Sequence, residues 1–360
     1  MEGMGLSPDF WRGRRVFVTG HTGFKGSWAS LWLASLGAEV VGYSAGVPTK
    51  PSLFELASVE EGLTHLEGDV RDGLGLEQAV ERHRPEVVVH MAAQALVRRS
   101  YREPVETFET NVIGTVNVLE AARAGNVRVV VNVTSDKCYL NTGSVPHRED
   151  DPKGGSDPYS ASKACAEIIS DAYRSAFLAN EGPGLASVRA GNVIGGGDWA
   201  DDRLVSDIMT AALERRPVLI RNPDAVRPWQ HVLNPLEGYL LLTERLWNDR
   251  SYAGGWNFGP AETDEKPVRA VVERIAELWG EGLGWVQDER DQPQETHVLR
   301  LDSSRARERL GWAPRWDLEQ AIESVVDWYR AYQAGKDMRV VMFDQITAYE
   351  AERSTSSPVP

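Results

Sequence analysis

The chain has 360 residues, 42% of them hydrophobic, and is long enough for one large α/β unit or for two lobes that share a cleft. Its formal net charge of -14 disfavours nucleic acid and anionic membrane surfaces as partners, because their phosphates would be repelled over most of the surface. The two cysteines give neither a disulfide framework nor a metal-ligand spacing, and no stretch approaches the roughly 20 apolar residues of a membrane span. Since the start of the chain also lacks an apolar signal core, we expect a cytoplasmic protein without a bound metal.

Up to about residue 190, short runs rich in β-branched residues alternate with helical patterns. The runs cover residues 14–20, 38–44, 63–69, 86–93, 127–135 and 185–193. Strands of this kind, buried on both faces and separated by helices, predict a parallel sheet with right-handed crossovers. We therefore predict an α/β fold in which residues 1–190 form a Rossmann-like, doubly wound parallel sheet.

Beyond Gly195 the alternation loosens, and tryptophans, prolines and charges become frequent around a helical pattern near residues 204–215. We predict that residues 191–350 form mainly a smaller mixed α/β lobe that binds substrate over the crevice of the sheet, with some of this chain returning to the first domain. Residues 351–360, which contain STSSPVP, are expected to form a disordered tail.

A glycine-rich turn, TGHTGFKGSW, follows the first predicted strand and places Gly20, Gly23 and Gly26 before an amphipathic helix. Glycines let the backbone turn tightly and approach a pyrophosphate, which then lies at the amide-rich end of the helix. Alone, the pattern is also that of an ordinary tight turn. After a first strand and within alternating strands and helices, it predicts a dinucleotide site.

The expected acidic residue for the adenosine ribose is missing from the end of the second strand. Tyr43 and Ser44 stand there instead, and no arginine follows to hold a 2′-phosphate, so the residues alone do not decide between NAD and NADP. His21 and Lys25 are bulky residues inside the glycine turn. We expect them to crowd the cofactor, with attraction of Lys25 to the pyrophosphate as the alternative.

Tyr159 and Lys163 form the pattern YSASK, which opens a helix predicted to run to about residue 179. A spacing of four places both side chains on one helical face, where an ammonium group would favour the phenolate and lower the tyrosine pKa. The tyrosine would then serve as a base. The alternative is a solvated lysine beside a packing tyrosine.

Ser135, Asp136 and Lys137 follow a predicted buried strand at a position that faces the ligand crevice in open α/β sheets. They are therefore either reagents or an ordinary turn with a surface lysine. A mutual ion pair between Asp136 and Lys137 is a third interpretation, in which both stay charged.

Five motifs, TGHTGFKG, HMAAQ, TSDKCY, YSASK and RAGNVIGGGDW, together resemble the extended short-chain dehydrogenase/reductase superfamily, and most closely its CDP-glucose group of nucleotide-sugar 4,6-dehydratases. The similarity continues through PTKPSLFE, RPWQHVLNPLEGYLLL, WNFGP and LDSSRARERLGW, and so spans nearly the whole chain. It implies NAD as cofactor, a nucleotide-sugar substrate, and a homodimer or homotetramer. In the dimer, the predicted helices of residues 104–125 and 159–180 would pack against a sister subunit; the alternative is burial against their own sheet.

The resemblance also implies roles for individual residues. The catalytic set is Ser135, Asp136, Lys137, Tyr159 and Lys163. The cofactor-binding set is Gly20, His21, Thr22, Gly23, Phe24, Lys25, Gly26, Asp69 and Val70 near the adenine, Ala92, Ala93 and Gln94 near the nicotinamide, and Tyr159 and Lys163. The substrate-binding set is Gln94, Ser135, Asn192, Arg203, Arg227 and His297. Asn192 and Arg227 would hold the diphosphate, although a structural ion pair is the alternative for Arg227.

A 4,6-dehydratase has to oxidise the fourth carbon of the sugar, eliminate water across the fifth and sixth, and return the hydride to the sixth. Elimination requires an acid and a base, which the resemblance assigns to Asp136 and Lys137 respectively. Both side chains are ionised in water near neutral pH, so these roles require a desolvated site. A nucleotide-sugar epimerase or decarboxylase would need only the Tyr159 and Lys163 site, and a non-catalytic dinucleotide-binding protein would need neither.

Overall fold

The computed structural model describes residues 5–140, 145–178, 181–280, 282–288 and 299–352. In chain order the strands are β1 (Arg15–Thr19), β2 (Glu39–Ser44), β3 (Thr64–Glu67), β4 (Val87–His90), β5 (Val129–Val133), β6 (Gly184–Arg189), β7 (Val193–Ile194), β8 (Val218–Ile220), β9 (Val226–Pro228), β10 (Gln230–His231), β11 (Gly254–Asn257), β12 (Glu265–Pro267) and β13 (Trp285–Gln287).

The helices are α1 (Pro8–Trp11), α2 (Phe24–Ser35), α3 (Leu53–Leu56), α4 (Gly73–His83), α5 (Val97–Arg102), α6 (Pro104–Phe108), α7 (Gly114–Ala124), α8 (Pro158–Ala176), α9 (Leu204–Leu213), α10 (Leu233–Asn248), α11 (Val268–Trp279), α12 (Leu318–Gln333) and α13 (Met338–Ala351). A π-helical turn, Glu109–Ile113, joins α6 to α7, so the long helical pattern predicted there is present with one irregular turn. The predicted helix at 204–215 corresponds to α9. Of the predicted tail, residues 353–360 lie outside the described residues, while Ala351 still belongs to α13.

The central sheet has seven parallel strands in the order β11-β6-β5-β4-β1-β2-β3. Strands β4 and β5 are runs of valine that are buried along their whole length, as expected where helices cover both faces. All six predicted strands are present, and the doubly wound fold is confirmed. The seventh strand, β11, comes from beyond residue 190 and pairs with β6, so part of the later chain does return to the first sheet.

The carboxyl ends of the parallel strands meet at one edge of the sheet, which is where ligands bind in folds of this type. The glycine turn follows β1, residues 91–94 follow β4, and Ser135 lies just beyond β5. Strand order reverses between β1 and β4, which opens a crevice between their loops.

Outside the seven-stranded sheet, much of the chain after residue 190 forms α9, α11 and three two-stranded sheets, β7-β10, β8-β13 and β9-β12. These elements are called the second lobe below. Its apolar residues join the same hydrophobic core as β1, β4 and α2. Among the described residues, no helix is long and apolar enough to cross a membrane. Nor does any group of three or more His, Cys, Asp or Glu side chains in that part of the chain form a metal site.

Candidate active site

A cleft of about 1500 Å³ lies along the carboxyl edge of the sheet and beneath the second lobe. Most of the predicted site residues line it: Gly20, Thr22, Gly23, Phe24, Lys25, Gly26, Asp69, Val70, Ala92, Ala93, Gln94, Ser135, Asp136, Lys137, Tyr159, Lys163, Asn192, Arg203 and Arg227. His21 does not line the cleft, and His297 lies outside the described residues. The structure therefore brings together side chains from distant parts of the sequence.

The three glycines of the turn after β1 differ in how much space a side chain would have at each position. Gly20 has a φ of +75°, and a Cβ there would lie 2.6 Å from the Ala92 nitrogen; a Cβ on Gly26 would lie 2.8 Å from His21 Cα. At Gly23, by contrast, a Cβ would meet only the Gly20 oxygen, at 3.4 Å. Helix α2 begins directly after Gly23 without a capping side chain, so its first amides remain available for an anion. This cradle fits a dinucleotide pyrophosphate.

His21 faces away from the cleft. Its ring is fully buried, with Nδ1 3.0 Å from Ser44 Oγ and Nε2 2.7 Å from His65 Nδ1. Burial lowers the pKa of His21 to about 4, so the ring is neutral at physiological pH. The expectation that its side chain crowds the cofactor is wrong, because Gly42 leaves a space into which the ring packs.

Lys25 does reach the cleft. Its Nζ lies 5.7 Å from the centre of the Tyr239 ring. Burial, with a further contribution from Arg203, lowers the pKa of Lys25 to about 7. The side chain is thus poised between its charged and neutral forms, and a nearby pyrophosphate would favour the charged form.

The adenosine end of the cleft has no acidic side chain at the end of β2. The Tyr43 hydroxyl donates to the Asp69 carbonyl oxygen at 3.3 Å, and the Ser44 hydroxyl is hydrogen-bonded to the His21 ring. Asp69 lines the cleft, where two hydrogen bonds from the Arg71 side chain lower the pKa of its carboxyl group. The end of β2 therefore presents hydroxyl and backbone groups where many dinucleotide sites have a carboxylate for the ribose.

Tyr159 and Lys163 lie on the first turns of α8, which is capped by Asp157 and begins at Pro158. Their exposed fractions are only 8% and 6%, and Lys163 Nζ donates to the Val133 carbonyl oxygen at 3.1 Å. Burial raises the pKa of Tyr159 to about 12, although a hydrogen bond with Ser135 opposes the rise, and burial lowers the pKa of Lys163 to about 8. The expected lowering of the tyrosine pKa by Lys163 is not found: burial raises this pKa, and the groups that oppose the rise are Ser135 and Arg203.

Ser135, Asp136 and Lys137 form a short turn directly after β5. Ser135 Oγ donates to Asp136 Oδ1 at 2.9 Å, and Lys137 Nζ lies 3.7 Å from the same oxygen. The Asp136 side chain is 1% exposed and the Lys137 side chain 34% exposed. Within the described residues, Asp136 Oδ2 is buried without a hydrogen-bond partner. Lys137 Nζ therefore lies within ion-pair distance of the Asp136 carboxyl group, and Asp136 is buried, not solvated.

The predicted substrate residues enclose the other side of the cleft. Asn192 adopts a φ of +39° just before β7, and Arg203 pairs with Asp198 at 2.8 Å. Arg227 donates to its neighbouring carbonyl at Val226. The Gln94 side chain is engaged with Leu96 and Thr107, so it holds the loop after β4 in place.

Some residues of the site were not predicted. Arg98 and Arg221 both line the cleft, and each lies within 3.5 Å of Asp202. Nothing in their sequence positions indicates this, because the three residues come from distant segments. The sequence analysis also did not predict the buried ion pair between Glu167 and Arg189, which lies beneath the turn of Ser135, Asp136 and Lys137. The sequence does contain a signal for this pair. Arg189 ends the apolar strand β6, and a buried charge requires a partner of opposite charge.

Comparisons with known proteins agree with this geometry. The family model described as GDP-mannose 4,6 dehydratase matches residues 17–325. A CDP-glucose 4,6-dehydratase from Salmonella typhimurium is 49% identical over 96% of this chain and 98% of its own length.

Solved structures of nucleotide-sugar enzymes have the same fold. The UDP-glucose 4-epimerase from Thermus thermophilus, in complex with NAD, has a TM-score of 0.75 and 27% identity, covering 88% of this chain and 99% of its own. An epimerase from Methanothermobacter thermautotrophicus has a TM-score of 0.79 at 22% identity, covering 91% and 95%, which supports the fold alone. The resemblance predicted from the motifs is confirmed, and the chain belongs to the GDP-mannose 4,6 dehydratase family.

Proposed function

We propose that the protein converts CDP-glucose and releases water, giving CDP-4-dehydro-6-deoxyglucose, with NAD as a recycled cofactor. The observation that carries this proposal is the position of Asp136 and Lys137 in the same cleft as Ser135, Tyr159 and Lys163. An oxidation site alone would serve an epimerase. The additional acid and base directly beside it are what a dehydration requires.

The oxidation half of the reaction is assigned to Tyr159, Ser135 and Lys163. Bound NAD would supply the hydride chemistry, as the acceptor for the fourth carbon of the sugar and the donor for the sixth. Tyr159 takes the proton of the sugar hydroxyl, and Ser135 holds that oxygen by a hydrogen bond. Lys163, held by the carbonyl of Val133, provides positive charge beside the phenolate. Gly23 and the free amides of α2 would hold the pyrophosphate.

The elimination half is assigned to the turn after β5. Once the fourth carbon is a ketone, the C–H at the fifth carbon is acidic enough for Lys137 to remove its proton. Asp136 gives a proton to the hydroxyl that leaves the sixth carbon. When the hydride is added to the sixth carbon, Lys137 returns its proton to the fifth carbon. The proton that Tyr159 took in the oxidation then replaces the one that Asp136 gave up, through the Ser135 hydroxyl, which is hydrogen-bonded to Tyr159 and lies 2.9 Å from Asp136 Oδ1. Lys137 Nζ and Asp136 Oδ1 are 3.7 Å apart, so both act on adjacent positions of one sugar. Partial exposure of Lys137 lets its side chain leave Asp136 when a sugar enters.

The choice of cytosine is supported by the Salmonella relative, which is named as a CDP-glucose enzyme. The diphosphate is assigned to Asn192 and Arg227, with Arg203 beside them, all on the second lobe formed mainly by residues 191–350. Arginine suits this role because its planar fork can bind two phosphate oxygens.

A homodimer, alone or within a homotetramer, is proposed from an exposed apolar surface. Tyr101, Val105, Phe108, Ile113 and Ile168 are all exposed in the single chain. They belong to α5, α6, the π-helical turn and α8, which pack against one another. Exposed apolar groups concentrated on one set of helices are typical of an interface.

The proposed function is tested by incubating the protein and NAD with CDP-, dTDP-, UDP- and GDP-glucose and identifying the products by mass. We expect loss of one water from CDP-glucose. With CDP-glucose deuterated at the fourth carbon, the label should appear at the sixth. A product of unchanged mass would instead indicate an epimerase, and loss of carbon dioxide from a nucleotide-uronic acid a decarboxylase. NADH that accumulates in proportion to product would contradict the internal hydride return.

A further inference from the structure

A buried ion pair between Glu167 and Arg189 has no part in the mechanism described above. It lies beneath the turn of Ser135, Asp136 and Lys137, which we call the catalytic turn. Arg189 Nε donates to Glu167 Oε1 at 2.7 Å and Arg189 Nη2 donates to Oε2 at 2.6 Å. The Glu167 and Arg189 side chains are 0% and 2% exposed, and neither lines the cleft. They therefore cannot contact the substrate directly.

The pair is attached to both ends of the catalytic turn. At one end, Thr134 Oγ1 donates to Glu167 Oε1. At the other, Arg189 Nη1 donates to the Tyr139 hydroxyl at 2.6 Å, and that hydroxyl donates to Asn257 Oδ1 at 2.7 Å. Thr134 immediately precedes Ser135, while Tyr139 follows the turn that contains Asp136 and Lys137. The buried pair is thus hydrogen-bonded to the residues that flank the turn on both sides, Thr134 and Tyr139.

Glu167 also belongs to α8, one turn after Lys163 and two turns after Tyr159. Its carboxylate consequently links the helix that carries the oxidation residues to the turn that carries the elimination residues. A buried ion pair is costly to desolvate and is often replaceable by apolar residues without loss of stability. The bidentate geometry of the Glu167–Arg189 pair and its hydrogen bonds to Thr134 and Tyr139 are better explained if the pair fixes the position of the turn between those two residues.

We propose that Glu167 and Arg189 are positioning residues that hold Asp136 and Lys137 at a fixed distance from Tyr159, Lys163 and Ser135. The proposal rests on the proposed dehydratase function. Because Tyr139 is attached at the far end of the turn, weakening that attachment should disturb elimination more than the preceding oxidation. A misplacement of about 1 Å can slow a reaction roughly 100-fold, so the effect is measurable.

Tyr139→Phe is the main test, because it removes one hydroxyl and leaves the charges of the pair in place. Tyr139 lines the cleft, but its hydroxyl is bonded to Arg189 and Asn257. The chain offers a second buried tyrosine hydroxyl, bonded to another glutamate-arginine pair, as a control in Tyr349→Phe. The Tyr349 hydroxyl lies 3.0 Å from Glu237 Oε2, and Glu237 is bound by both Arg315 Nε and Nη2 at 2.7 and 2.6 Å. Tyr349 and Glu237 are buried, the Arg315 side chain is 16% exposed, and none of the three residues lines the cleft.

Both tyrosine variants should lose a similar amount of thermal stability. Only Tyr139→Phe should slow product formation from CDP-glucose, by roughly 10- to 100-fold, while the first oxidation, measured as a transient absorbance of NADH in a single turnover, stays near the wild-type rate. Equal kinetics in both variants, or an equal loss of oxidation and elimination in Tyr139→Phe, would overturn the proposal.

Arg189→Lys and Arg315→Lys provide a second matched pair, in which the charge is kept and the fork is lost. Arg189→Lys should reproduce the selective loss of elimination, and Arg315→Lys should not. If Arg189→Lys fails to fold, the tyrosine pair still decides the question. Failure of the wild-type protein to dehydrate CDP-glucose would refute the proposed function, whereas a normal wild type with an unaffected Tyr139→Phe would refute only the positioning role.

Discussion

Gly191 lies directly against the carboxylate of Asp136. A Cβ at position 191 would overlap Asp136 Oδ2, would lie 2.7 Å from Asp136 Cγ, and would lie 3.3 Å from Pro228. The glycine in RAGNV therefore leaves the space that the acid of the elimination pair occupies. Since Gly191 does not have the positive φ that disfavours other residues, a substitution there acts through this space.

Gly191→Ala should displace Asp136 and slow elimination roughly 10- to 100-fold, with a stability loss of about 1 to 3 kcal/mol from overpacking. Product formation and thermal unfolding measure the two effects. Gly284→Ala is a suitable control, because a Cβ at that position meets nothing within 4 Å. Normal turnover by a folded Gly191→Ala protein would show that the position of Asp136 is unimportant.

Lys137→Met should retain NAD binding and the first oxidation but reduce product formation about 100-fold or more, the range typical for loss of a general base. Methionine keeps most of the length of the side chain and removes the amine 3.7 Å from Asp136. A single-turnover experiment that follows NADH and product separately distinguishes the two steps. Nearly normal turnover would mean that Lys137 is only a partly exposed lysine paired with Asp136.

The pH dependence of the first oxidation should reflect Lys163. Because burial lowers its pKa to about 8, the ammonium is intact below that pH and is lost above it. Burial raises the pKa of Tyr159 to about 12, and in the proposed mechanism the ammonium group of Lys163 stabilises the phenolate. The rate should therefore fall as the pH rises through about 8. In Lys163→Arg, which stays charged, the alkaline fall should move to higher pH; an unchanged profile would exclude Lys163 as its cause.

The doubly wound parallel sheet could be predicted because local signals and global topology agree, whereas the order of its strands was not predicted. The valine runs of β4 and β5 specify buried strands, and alternation with helices leaves little choice but a doubly wound sheet. β11 was not predicted as part of that sheet. Its short sequence, GGWN, lacks the β-branched run of the others, and its pairing with β6 depends on a long-range contact.

The site was predictable where chemistry is concentrated in short motifs, as in Tyr159 with Lys163. The pKa values and side-chain orientations in the site were less predictable, because they depend on burial. The pattern predicts the closeness of these two residues but not that desolvation raises the tyrosine pKa in the protein alone. Similarly, the sequence shows that His21 is a bulky residue in the glycine turn. It does not show that the ring turns away from the cleft into the space left by Gly42.

NAD should be held loosely, because the end of β2 offers no carboxylate to the adenosine ribose. Hydrogen bonds to a charged group contribute about 1.5 to 3 kcal/mol, so its absence should weaken binding roughly 10- to 100-fold. We expect the gel-filtered protein to contain little cofactor and to be stimulated by added NAD. Ser44→Asp introduces a carboxylate, a charged acceptor, at this position and should lower the Kd for NAD roughly 10-fold, whereas the neutral acceptor in Ser44→Asn should not. Protein that retains about one NAD per chain after gel filtration, with full activity and no response to added NAD, would contradict this prediction.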